Sequence, residues 1–169
     1  MEAKDLIGRK AQFIELATRL FDEITKLPKE VRPLDDKPRT GIQIFLREAG
    51  TRNSVFASIY QPSEQAQSFS VEKAVRSETL GDFSSQNSED PDLMKFRGSL
   101  TILFHKGRMQ TSCSGLSGDE DAAVSLRLHK LYTELPTDLL IEHIIKNDGM
   151  VPDCFFDRDH YLYKLIYAD

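Results

Sequence analysis

Residues 96–124 read FRGSLTILFHKGRMQTSCSGLSGDEDAAV, and this stretch decides the fold. Two β-prone runs, 99–104 and 108–116, flank His105-Lys106-Gly107. A short glycine-bearing turn between such runs predicts a hairpin, and a hairpin pairs its strands antiparallel. Ser117-Gly118-Asp119-Glu120 then has the spacing of a capping box. In that box the Ser117 side chain accepts from the Glu120 amide, and Glu120 reaches back to the Ser117 amide. Asp119, Glu120 and Asp121 also suit the positive end of a helix dipole. The spacing predicts a helix from 118 to about 135, stopped by Pro136.

The same grammar extends upstream. Residues 41–48 alternate, with Ile42, Ile44 and Leu46 on one face. Residues 54–60 do the same with Val55, Ala57 and Ile59, after the turn Gly50-Thr51-Arg52-Asn53. This is a second predicted hairpin. Residues 3–27 carry Leu6, Phe13, Ala17, Phe21 and Ile24 at helical spacing and end at Pro28. Pro28, Pro33 and Pro38 stand among charges in 28–40, which reads as a linker. Residues 68–80 read as a helix with a short apolar side. The polar stretch 81–92 reads as a flexible loop, a candidate lid or insertion. Downstream, 138–147 reads as a short helix ended by Gly149, and the aromatic tail 154–167 reads as β-like, an added strand or an interface. Antiparallel strands with helices packed on them make an α+β fold.

The chain has 169 residues, the size of one domain, here 1–169. Hydrophobic residues are 40% and charged residues 29%, a globular composition without the bias of a disordered chain. The net charge is −5, with acids and bases mixed along the chain. No basic stripe suits nucleic acid or an anionic membrane surface. Two cysteines, Cys113 and Cys154, are too few for a disulfide framework. Residues 1–10 lack the apolar run of a signal peptide, and no run reaches the length of a membrane span. The expected location is the cytoplasm.

Several positions in 70–124 resemble the haem-binding GlcG/HbpS-like family, which includes the C-terminal domain of some cobalamin adenosyltransferases. They are Gly98, Ile102, Gly107, Ser114-Gly115-Leu116-Ser117-Gly118 and Asp121, with Ser70-Val71-Glu72-Lys73-Ala74 upstream. The order of elements from 3 to 135 fits as well. The family usually enters the third strand through several glycines and Val-Pro. Here Gly98 alone is followed by Ser99-Leu100-Thr101, so the chain reads as a divergent member with a family-like core, 1–135, and a C-terminal extension, 136–169. The resemblance implies a profilin-like fold, an antiparallel sheet flanked by helices. It also implies a homo-oligomer and a ligand such as haem or a corrinoid.

Candidate ligand-binding residues follow from these motifs. Lys73, Arg76 and Arg97 are the cations nearest them, suited to the carboxylates or phosphate of a ligand or else to a solvated face. Gly115-Leu116-Ser117-Gly118 before the capped helix offers backbone amides to an anion unless the cap and the acids already satisfy them, and Gly98 joins Ser117 and Gly118 as a candidate through the resemblance. His105 and His129 are the candidate axial donors to haem, and a partly buried core role is the plainer reading of His129. Cys113 reads as a small buried hydrophobe. Ser117 lacks the second glycine of a nucleophile elbow, because Asp119 stands there. Cys154, Asp157, Asp159 and His160 lack the paired spacing of a zinc site. No catalytic set assembles. The function expected is binding of haem, a corrinoid or a small organic acid, and the alternative is a protein-interaction or assembly domain with no ligand.

Overall fold

The computed structural model describes residues 6–33, 37–104 and 107–169. Among these described residues, five α-helices and four strands follow in the order α1 (Lys10–Thr25), β1 (Gly41–Glu48), β2 (Ser54–Tyr60), α2 (Glu64–Leu80), β3 (Ser99–Phe104), β4 (Gly107–Ser114), α3 (Gly118–Thr133), α4 (Thr137–Lys146) and α5 (Tyr161–Tyr167). Both predicted hairpins form. Antiparallel pairing of β1 with β4, from Gln43↔Ser114 to Glu48↔Met109, joins them into one open sheet of order β2-β1-β4-β3. The fold is α+β. No helix among the described residues is long and apolar enough to cross a membrane.

The two sheet faces differ because the strands alternate. Ile42, Ile44, Leu46, Val55, Ile59, Leu100, Ile102 and Met109 point to one side and are buried under α1 and α3. There Phe13, Leu20, Phe21 and Ile24 of α1 meet Ala123, Val124 and Leu128 of α3 in one continuous core. The other face carries Gln43, Ser99, Thr101, Gln110 and Ser112, all buried. It is covered by α2, whose own buried residues are Ala66, Ser70, Lys73, Ala74 and Ser77. Small and polar side chains therefore hold α2 to the sheet, with the Gln110 Nε2 donating to the Ala74 carbonyl at 3.1 Å.

Four segments depart from the sequence reading. Helix α2 starts at Glu64 rather than 68, because the Ser63 side chain caps it by accepting from the Ala66 amide at 3.0 Å. Residues 81–92 are not a loose loop. Phe83 is buried, Ser84 bridges to Leu100, and 3-10 turns at Ser85–Ser88 and Pro91–Leu93 fix the rest. The tail 154–167 is not β-like: it holds a 3-10 turn at Asp153–Phe155 and the helix α5. Its apolar alternation conceals an i,i+4 stripe: Leu162 and Ile166 are buried, while the Tyr163 and Tyr167 rings stack at 4.4 Å. The His160 Nδ1 accepts from the Leu162 amide at 3.1 Å and caps α5. Arg127 closes the other end, donating to the Leu165 carbonyl at 2.7 Å and the Ala168 carbonyl at 2.6 Å. Residues 6–9, expected within the first helix, form a turn instead, and α1 begins at Lys10, whose amide donates to the Ile7 carbonyl at 3.1 Å; the predicted start at residue 3 lies outside the described residues.

Candidate functional site

The capped start of α3 organises the candidate site. Ser117 and Glu120 form the reciprocal capping box predicted from their spacing. The three acids of the first turn each meet a cation from elsewhere in the chain. The Asp119 carboxylate pairs with Arg97 at 2.9 Å. Glu120 accepts from Arg32 Nη2 at 3.0 Å and from the Tyr161 hydroxyl at 2.9 Å. Asp121 pairs with Lys73 Nζ at 3.0 Å. Burial raises the Glu120 pKa, yet the Arg32 hydrogen bond, the Ser117 amide and Tyr161 outweigh it and leave Glu120 below its ordinary value. At Asp121 burial prevails over Lys73 and holds the pKa above the ordinary value.

Lys73 and Asp121 form the floor of this region. Lys73 also donates to the Cys113 carbonyl at 2.9 Å, and Asp121 accepts from the Leu116 amide at 3.1 Å. The chain passes this pair at Gly98, where φ is +125° and a Cβ would fall 2.6 Å from the Asp121 Cβ and 3.0 Å from Lys73 Nζ. Only glycine fits there without strain. Gly115 has φ +131°, and a Cβ on it would lie 2.4 Å from the Gly41 carbonyl. That close approach lets the end of β4 turn into α3.

Above this floor lies a cavity of about 520 Å³ at the β1 start and the β4 end. Lys37 and Arg39 stand at its rim, and Arg39 Nη1 donates to the Gly115 carbonyl at 3.3 Å. Phe69 of α2 and Phe96 wall it, edge to face with ring centres 5.2 Å apart. Met94 and Leu116 add apolar surface. Other clefts are as large or larger: about 770 Å³ beside Arg127 and Leu135, about 820 Å³ beside Val31 and His160, and about 530 Å³ beside Asp22 and Lys26. None of the three contains a candidate ligand-binding residue. The smaller cavity does, and it joins apolar walls to convergent charge, as small-molecule sites do.

The sequence candidates divide. Lys73 and Gly118 line the cavity. Gly98 touches Lys73 and Asp121 from below, and a Cβ on Gly118 would fall 2.4 Å from Arg97 Cγ, so the Arg97 stem lies over that glycine. Ser117 acts as the cap. Arg76 faces away and ties α2 to the following segment through the Ser88 carbonyl at 2.7 Å and the Phe96 carbonyl at 2.6 Å. His129 is fully buried, with Nε2 2.9 Å from the Leu100 carbonyl, and it does not line the cavity. Burial drives its pKa down to about 4, against the pull of Leu100. His105 lies outside the described residues. Cys113 is buried beside Asp121, and burial holds its thiol well above its ordinary pKa, so no thiolate nucleophile forms. Among the described residues no three His, Cys, Asp or Glu side chains are grouped to hold a metal ion.

Sequence reasoning missed Lys37, Arg39, Phe69 and Phe96. The two basic residues sit in what reads as linker, and the two rings come from elements whose pairing no local pattern announces. No family model, no curated protein and no solved structure matches this chain.

Proposed function

We propose that this chain is a cytoplasmic small-molecule-binding domain, a divergent relative of the GlcG/HbpS-like family, whose ligand is a small organic acid with a planar apolar body. One observation carries the reading. A cationic rim, Lys37 and Arg39, faces an edge-to-face phenylalanine pair across a cavity of about 520 Å³. That size falls within the roughly 300–1,000 Å³ usual for ligand sites. The acids nearby do not repel an anion, because Asp119, Glu120 and Asp121 are each paired to a cation. A carboxylate at the rim would gain charge-assisted hydrogen bonds. The ring or chain behind it would lie on Phe69 and Phe96.

An organic acid fits better than a tetrapyrrole. An axial histidine is needed for a globin-like haem site. No histidine among the described residues lines the cavity, and His129 is occupied by Leu100. Two cysteines in a chain of 169 residues suit a reducing compartment. Calorimetric titration with benzoate, phenylacetate and longer aryl acids tests the proposal, with haemin and the matching amides in parallel. Saturable binding of an acid, absent for its amide and weakened about tenfold or roughly 1.4 kcal/mol by Arg39→Gln, supports it. Binding of amide and acid alike removes the anion site from the account.

A further inference from the structure

The two edges of the sheet are finished differently. The ladder bonds establish which backbone groups face outward. On β3, the Cys113 amide donates to the Gly98 carbonyl at 3.1 Å, so Gly98, Leu100 and Ile102 bond inward to β4. Ser99, Thr101 and Leu103 therefore point their amides outward. Every one of these is taken. The Ser99 amide donates to Ser85 Oγ at 3.0 Å, Thr101 to the Phe83 carbonyl at 2.9 Å, and Leu103 to His143 Nε2 at 2.9 Å. The segment after α2 and the side of α4 together close that edge.

On β2 the Glu48 amide donates to the Asn53 carbonyl at 3.1 Å and the Gln61 amide to the Thr40 carbonyl at 3.0 Å. Those bonds fix Val55, Ala57 and Ile59 as the inward residues. Ser54, Phe56, Ser58 and Tyr60 point their amides and carbonyls outward. No described group pairs with these outward atoms, and all four residues are exposed, Phe56 at 47% and Tyr60 at 56%. The strand reads SVFASIY: it has no charge and no proline, and its register with β1 runs without a bulge from Gly41↔Tyr60 to Arg47↔Ser54. Natural proteins ordinarily protect a bare edge with one of those devices.

We infer that the β2 edge is a homodimer interface, in which β2 of a second copy pairs antiparallel about a two-fold axis at Ala57 to make one continuous eight-stranded sheet. The occupant follows from the strand itself. A register centred on Ala57 opposes Ser54 to the second copy's Tyr60 and Phe56 to its Ser58, so each outward residue finds an outward residue. The Phe56 rings of the two copies then stand diagonally across the axis, within the reach of aromatic side chains. Each already packs edge to face on its own Phe45, with centres 6.1 Å apart, so four rings close over the seam. The same register opposes exposed Arg52 of one hairpin turn to Pro62 of the other copy, two residues short of exposed Glu64, the first residue of α2, so the ends bring opposite charges toward each other. A symmetric, self-complementary patch of this kind closes at two copies and does not propagate.

The test uses the full chain. Sedimentation at tens of micromolar should give the mass of a dimer. Phe56→Lys and, separately, Ser58→Lys should each sediment as a monomer at the same concentration while still melting cooperatively. A nitroxide on Ser58→Cys should show dipolar broadening between copies, and a tenfold excess of unlabelled chain should remove it. A monomeric wild-type protein overturns the inference. So does a dimer that survives both lysine variants, since its interface must then lie elsewhere, on α1 or the tail.

Discussion

Lys73 of α2 and Asp121 of α3 face each other at 3.0 Å, with side chains only 2% and 4% exposed. They come from helices on opposite faces of the sheet and meet at its open end, beneath the candidate cavity. Removing one partner leaves an uncompensated buried charge, at a cost of about 3–5 kcal/mol. Lys73→Met and Asp121→Asn should each lose that much in urea unfolding. The double variant should recover a large part of it, because desolvation of the pair offsets much of its attraction. Additive losses would show that the two residues act separately.

Ser117 caps α3 and does not line the cavity. Ser117→Ala should cost about 1 kcal/mol of stability and leave titrations of the cavity unchanged. A variant of normal stability that no longer binds ligand would reassign Ser117 to the site.

His129 makes stability depend on pH. Its pKa falls from 6.5 to about 4 on folding, chiefly through burial. The unfolded chain takes up this proton as pH drops through 6.5, and the folded chain only near 4. Stability from this source is complete above 6.5 and is lost progressively down to 4, by about 3 kcal/mol at roughly 1.36 kcal/mol per unit. Burial also lowers the His143 pKa, which acts in the same direction. His129→Gln should therefore flatten most of the slope between pH 6.5 and 4 in denaturant midpoints, and an unchanged slope would place the proton elsewhere.

The tail belongs to the core. Phe155 and Ile166 are fully buried and Leu162 is nearly so, while Thr137 Oγ1 donates to the Ile166 carbonyl at 2.8 Å. Removing 154–169 should abolish cooperative unfolding or give aggregate, and Phe155→Ala alone should cost about 3–5 kcal/mol. A soluble, cooperatively folded truncation would return the tail to the role of an interface.

What was legible in the sequence was local. The two hairpins and the Ser117–Glu120 box depend on residues a few positions apart, and each forms. The tail reads as a strand because Tyr161, Tyr163 and Leu165 alternate with Leu162, Lys164 and Ile166, and a helix apolar on most sides satisfies the same pattern. Lys73 and Asp121 lie 48 positions apart, so their pairing needs the packed fold. The Phe69–Phe96 wall is hidden for the same reason. Arg39 looked like linker charge, and only the return of β4 beside β1 brings it to the Gly115 carbonyl. His129 kept its helical place, but its partner is a β3 carbonyl that no helix pattern predicts.

The central claim is that the cavity beneath Arg39 binds small organic acids. Amide chemical shifts of the labelled protein, followed during titration with benzoate and longer aryl acids, test it most directly. The account predicts saturable shifts clustered at 39–41, 63–69, 94–96 and 114–118, and their loss in Arg39→Gln. Shifts confined to the clefts beside Leu135 or His160, or no saturable shift with any acid, would contradict it.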